Sequence, residues 1–102
     1  HYVSEKVNKA YLNINLDYRF NSEKDRNDYY SRSDHYNFAR HNIPVIFYFN
    51  GEHEDYHEST DTPDKIDYKL LKKRAQLIFA TAWQIANQPN RILIDDKHPL
   101  LK

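Results

Sequence analysis

Cysteine and methionine are absent from the 102 residues, and glycine occurs once. Without cysteine there is no disulfide framework, no iron–sulfur cluster, no thiolate zinc site and no cysteine nucleophile. A single glycine cannot build a glycine-rich phosphate loop, which removes P-loop and Rossmann-type nucleotide binding. Average usage near 7% would give about seven glycines. Asn and Asp must therefore supply the left-handed turn positions, and Asn21, Asn27, Asn42, Asn50 and Asn90 stand where turns are wanted. Net charge is missing too: 15 Lys+Arg balance 15 Asp+Glu. With no basic excess to neutralise phosphates, nucleic acid is not an expected partner. The longest apolar run, Ile43 to Phe49, falls far short of the roughly 20 residues a membrane-spanning helix needs. The opening His1-Tyr2-Val3-Ser4 leads into charged residues, unlike a signal peptide. An initial His in place of Met fits a piece of a longer protein.

What is present fits one ordinary domain, with hydrophobic residues at 39% and a mean hydropathy of -0.99. A chain this short buries only about 60 to 70% of its unfolded surface, leaving little room for a large internal site. Residues 10–20 alternate strictly. Leu12, Ile14, Leu16, Tyr18 and Phe20 face one way, while Asn13, Asn15, Asp17 and Arg19 face the other. Period two predicts a strand with one polar face, or an edge strand. A polar loop follows from Asn21 to Ser31. Ser33 then reads as the N-cap of a short helix, Asp34 to His41, with Phe38 on its inner face. Ile43 to Phe49 is a continuous β-branched and aromatic run, the pattern of a strand covered on both faces in a parallel sheet. Residues 51–64 form a polar loop dense in metal-capable side chains. The strongest helix signal starts near Pro63 to Asp67 and runs to Asn87. Leu71, Ala75, Ile78, Ala82 and Ile85 recur at helical spacing, widened by Leu77 and Trp83, with Lys69, Lys72, Lys73 and Arg74 on the solvent side. Pro89 stops the helix, and residues 91–102 form a tail. The order strand, helix, strand, loop, long helix is that of an α/β layered fold.

The chemistry is concentrated in His53 to Asp64. His53-Glu54-Asp55-Tyr56-His57 matches the H-E-x-x-H pattern, in which two His at i and i+4 bind zinc and the Glu is general base. That arrangement needs a helix, so that both imidazoles leave one face. Gly51 before the motif, Ser59, Thr60 and Asp61 after it, and Pro63 at its close argue for a loop instead. The other candidates carry plain readings as well. Asp34 suits a first-turn acid favoured by the helix dipole, His35 a packing residue, and Asp61-Thr62-Pro63-Asp64 a turn leading into a helix.

Three separated strings occur in order: Ser33-Asp34-His35-Tyr36-Asn37-Phe38, then Ile43-Pro44-Val45-Ile46-Phe47-Tyr48-Phe49, then Tyr56-His57 with Asp61-Thr62-Pro63-Asp64-Lys65-Ile66. Together they resemble the C-terminal third of the di-zinc aminopeptidase family, metallopeptidase family twenty-eight, over about residues 10–90. The resemblance implies the C-terminal part of a three-layer α/β/α sandwich with a mostly parallel sheet. Residues 1–90 would then be part of one catalytic domain and 91–102 a tail. It implies a zinc-dependent exopeptidase that binds two zinc ions and hydrolyses peptides. His57 would be the last zinc ligand, while Tyr56, Asp34 and His35 would border the substrate. His53 has no ligand role in that pattern. The family's other ligands and its Glu base lie upstream of anything found here. A catalytic zinc needs about three protein ligands, so the chain is expected to be an inactive fragment whose partner is the N-terminal portion of the same protein. The resemblance also implies export, to a periplasmic or extracellular compartment. A metal-free interaction or structural module of the same fold is the alternative, and the H-E-x-x-H site the third. A strand at residues 43–49 without flanking neighbours would leave an apolar patch and unpaired edges, so self-association through that sheet is expected.

Overall fold

Val3 and Val7 stand one helical turn apart, and Glu5 pairs with Lys9 across the next turn at 3.5 Å. In the computed structural model, which describes residues 1–22 and 24–94, this segment is a helix, α1 (Tyr2–Tyr11). Asn13, in the left-handed region at φ 52°, turns the chain out of it. The Asn8 side chain then brackets Ile14. Its Nδ2 donates to the Ile14 carbonyl at 2.6 Å and its Oδ1 accepts the Ile14 N–H at 2.8 Å.

The described residues cluster into two compact units. The first gathers Asn15–Phe47 with His1 and the described residues from Gln88 onward. It holds a short 3-10 turn (Arg19–Asn21) and α2 (His35–Ala39). Tyr29 is buried there, edge-on to Phe20 with ring centroids 4.8 Å apart. Asp25 builds the turn beneath it, accepting from the Asn27 N–H at 3.0 Å and the Tyr29 N–H at 3.4 Å. The end of α2 is a Schellman motif. Asn42 is left-handed at φ 60°, its N–H donates to the Ala39 carbonyl at 3.0 Å, and the Ile43 N–H donates to the Phe38 carbonyl at 3.2 Å.

The second unit joins Tyr2–Ile14 to Tyr48–Asn87. Its frame is α1 packed on α3 (Tyr68–Asn87). The Asp67 carboxylate starts α3, accepting the Lys69 and Leu70 N–H groups at 3.1 Å each. Pro89 follows the last turn and cannot continue it. Val7, Asn8 and Ser4 of α1 are buried, as are Leu77 and Thr81 of α3. The Thr81 hydroxyl donates to Ser4 Oγ at 3.3 Å, and Ser4 Oγ lies 2.6 Å from the Tyr48 hydroxyl.

Three expectations fail here. No strand forms among the described residues, which overturns the parallel-sheet α/β/α sandwich. The backbone shows why. Along 12–17 the alternation is real, with Leu12, Ile14 and Leu16 half-buried between exposed Asn13, Asn15 and Asp17. Yet the Ile14 N–H and carbonyl are spent on the Asn8 side chain, not on a neighbouring strand. At residues 43–49 the Ile43 N–H is taken by α2 and Pro44 has none to give, so the run starts without ladder donors. The α2 helix is also shorter than Asp34 to His41, and Phe38 is exposed, not inward. Finally, α3 buries Leu77 and Thr81, whereas Leu71, Ile78 and Trp83 of the expected stripe are exposed. The ten-residue α1, presenting small polar Ser4 and Asn8, covers only a narrow line of the longer helix. The expected tail reads as irregular chain over 91–94; its remaining residues, 95–102, lie outside the described residues.

Candidate functional site

The loop after Phe49 runs through a series of turns and a 3-10 helix (Pro63–Lys65) before α3. Gly51 stands at φ 90°, a conformation that favours glycine. The Tyr56 N–H donates to the His53 carbonyl at 3.0 Å and the Glu58 N–H to the Asp55 carbonyl at 3.0 Å. The Asp61 N–H donates to the Glu58 carbonyl at 3.1 Å. These turns overlap without forming an α-helix, so His53, Glu54 and His57 do not share a helical face and the H-E-x-x-H geometry is not formed. The His53 ring instead serves the loop, its Nδ1 accepting the Asp55 N–H at 3.2 Å.

His57 itself is left-handed, at φ 57°. That conformation costs a non-glycine residue roughly 1 kcal/mol or more and persists only where its surroundings impose it. Ring contacts surround this position. The His57 ring stacks on Tyr56, with centroids 4.0 Å apart and planes 19° from parallel. Tyr56 is half-buried and held edge-on by Phe49 at 6.5 Å. The loop is then closed by Lys65, whose Nζ lies 2.9 Å from Asp55 Oδ1. Hydrogen bonds from Thr60 and Lys65 hold the Asp55 carboxyl below the usual carboxylate range. The pattern therefore yields an exposed imidazole on a fixed turn, next to a fixed phenol.

Asp34 and His35 belong to the first unit and are described within it. Asp34 is exposed at the N-cap position of α2, in helical φ and ψ, and its side chain makes no capping bond. His35 stacks on Phe47 at 4.4 Å with planes 10° apart, and meets Tyr30 edge-on at 6.3 Å. Its Nδ1 is buried without a hydrogen-bond partner among the described residues. Burial, and then the neighbouring Tyr36, raise the pKa of the Tyr30 hydroxyl. Asp55 and Lys65 carry the loop's shape, though sequence reasoning gave them no role. Their one signal was Lys65 within the Asp-Lys-Ile end of the quoted string.

A family model, Peptidase family M28, matches residues 1–82. The chain belongs to peptidase family M28. No curated protein and no solved structure matches it. The matched stretch of this M28 chain takes in α1, α2, the whole Tyr56–Lys65 loop and most of α3. Metal dependence was tested on the donors that the M28 chain brings together. Among the described residues no group of three or more His, Asp or Glu side chains is placed to hold a metal ion. A complete metal centre therefore does not fit the described residues.

Proposed function

We propose that this chain supplies one wall of a zinc-dependent exopeptidase site, of aminopeptidase type, with His57 as one metal ligand and Tyr56 beside it against the peptide substrate. The observation that supports this reading is the fixed Tyr56–His57 pair within a stretch matched as a peptidase family. A left-handed, exposed imidazole held by its neighbours is pre-positioned for coordination, so little ordering remains to be done when a metal arrives. The remaining ligands and the general base would come from the N-terminal portion of the same protein, with the whole exported from the cytoplasm. No reaction step belongs to this chain alone.

Two measurements test the proposal. The pure 102-residue chain should show no zinc-dependent turnover of an aminoacyl chromogenic substrate. In the full-length parent, His57→Ala should remove most activity and weaken the binding of one zinc ion, while His53→Ala should do little. Equal harm from both substitutions would refute the single-ligand assignment. Turnover by the isolated chain, abolished by Glu54→Gln, would refute the division of the site.

A further inference from the structure

Of the ten Asn residues in the chain, Asn50 alone is followed by glycine. An Asn side chain is open to attack at its Cγ by the main-chain nitrogen of the next residue. Three things govern that attack: what crowds the nitrogen, whether its N–H is bonded, and whether the backbone between the two groups is fixed. At Asn50–Gly51 all three favour it. Gly51 has no Cβ beside its nitrogen, and the space where one would stand has no neighbouring atom within 4 Å. Neither the Gly51 N–H nor the Asn50 side chain makes a hydrogen bond among the described residues. Asn50 is exposed, and residues 43–53 belong to no helix or strand, so no regular ladder fixes the backbone there. The other Asn residues are guarded by the same criteria. Asn8 is buried with both amide atoms bonded to Ile14. The nitrogens that follow Asn13, Asn27 and Asn42 each donate a hydrogen bond. Every Asn except Asn50 precedes a residue whose Cβ crowds the nitrogen.

We propose that Asn50 is a site of spontaneous covalent modification, deamidating through a cyclic imide to aspartate and isoaspartate with water as the co-reactant. The Gly51 nitrogen loses its proton to hydroxide and forms a bond to Asn50 Cγ. The Cγ–Nδ2 bond breaks, and Nδ2 takes a proton from water and leaves as ammonia. Water then adds to one of the two ring carbonyls. Opening the ring at Cγ restores the main chain with Asp at position 50. Opening it at the main-chain carbonyl carbon routes the chain through Cβ and Cγ, which is the isoaspartyl form. One water enters and one ammonia leaves, and nothing is oxidised or reduced. Either product adds one acid to a chain in which 15 acidic and 15 basic residues balance, and so turns its net charge negative. The isoaspartyl product also lengthens the main chain by one methylene, directly after Phe49. The Phe49 ring meets Tyr56 edge-on at 6.5 Å, and Tyr48 on its other side bonds Ser4 of α1 at 2.6 Å. The change therefore falls at the entry of the loop that carries Tyr56 and His57, and its extent records the age of the molecule.

The test is to hold the full 102-residue chain for days at physiological temperature and pH, then digest it with trypsin and read the peptides by mass spectrometry. Cleavage after Arg40 and Lys65 puts Asn42 and Asn50 in one peptide, residues 41–65, so Asn42 is an internal control. Residue 50 should gain the mass difference between a hydroxyl and an amino group, and the peptide should split into two chromatographic forms. One of them, the isoaspartyl form, should accept a methyl ester from an isoaspartyl methyltransferase. The rate at Asn50 should lie within about threefold of that in a synthetic 41–65 peptide, because an exposed, unbonded position needs no opening of the fold. Asn42, before a β-branched residue with a bonded N–H, should lag by about tenfold or more. The rate at Asn50 should rise with pH, since its nucleophile must lose a proton. Asn50→Gln should abolish the product with the far-UV spectrum unchanged, because the larger imide ring closes more slowly. Three results would each overturn the proposal: a folded-chain rate more than about tenfold below the peptide's, another Asn converting faster than Asn50, or a rate indifferent to pH.

Discussion

Leu77 and Ile78 are neighbours in sequence, and only one of them can hold α3 in place. Helical spacing with Leu71, Ala75, Ala82 and Ile85 puts Ile78 in the apolar stripe and Leu77 at its widened edge, whereas the structure buries Leu77 to 2% exposure and leaves Ile78 at 43%. Truncating either residue to Ala removes three carbons, worth about 2.4 kcal/mol if fully buried at about 0.8 kcal/mol each. Leu77→Ala should lose nearly all of that plus a cavity contribution, so roughly 2.5 to 4 kcal/mol. Ile78→Ala should lose a little over half of the transfer free energy and leave no closed cavity, so about 1 to 1.5 kcal/mol. At about 4 to 8 °C per kcal/mol for a domain of this size, the two variants should separate clearly in a thermal melt. The assay is far-UV circular dichroism with a parallel urea titration. Leu77→Ala should melt at least about 4 °C below Ile78→Ala. Equal midpoints, or a lower midpoint for Ile78→Ala, would refute the packing of α1 on the Leu77–Thr81 line.

The acid stability of the loop should depend on Asp55. Its folded pKa is lowered, so it contributes stability above its unfolded value near 3.9 that is lost as pH falls through the lowered folded value. Asp55→Asn should therefore flatten the urea midpoint between about pH 5 and about pH 2, and an unchanged acid limb would count against the Asp55–Lys65 closure. Asp67→Ala should lower stability by about 1 kcal/mol through loss of the two N-cap bonds, and Asp67→Asn should restore most of it; thermal melts of the two variants decide this.

Local rules read well wherever the backbone settles its own bonds nearby. The start of α3 was legible because Asp67 caps it, and its end because Pro89 lies just beyond. Asn42 was legible as a turn residue because a left-handed position near a helix end favours Asn when glycine is scarce. The polar loop at 51–64 was likewise clear, and within it Tyr56 and His57 were singled out by their motif. What failed depends on partners distant in sequence. Alternation assigns faces to Leu12, Ile14 and Leu16, but it is silent on what bonds their amides, and Asn8 took the bonds a ladder would have used. Continuous apolar character at residues 43–49 signals burial without naming a neighbour. Of the expected stripe on α3, Leu77 is buried while Leu71, Ile78 and Trp83 are not, because the buried line is set by α1, whose two valines and polar core residues Ser4 and Asn8 give a weak periodic signal. The ion pair of Asp55 with Lys65 joins residues ten apart, a spacing that belongs to no regular element.

The docking of α1 on α3 also fixes an order of events during synthesis. Ser4 and Thr81 are 77 positions apart, so at about 5 to 20 residues per second the first helix waits roughly 4 to 15 s for its partner to emerge. A ten-residue segment is too short to persist as a helix alone in water. Until then Val7 lacks the α3 face that buries it in the folded unit. Only when the last turns of α3 clear the exit tunnel can α1 dock on it.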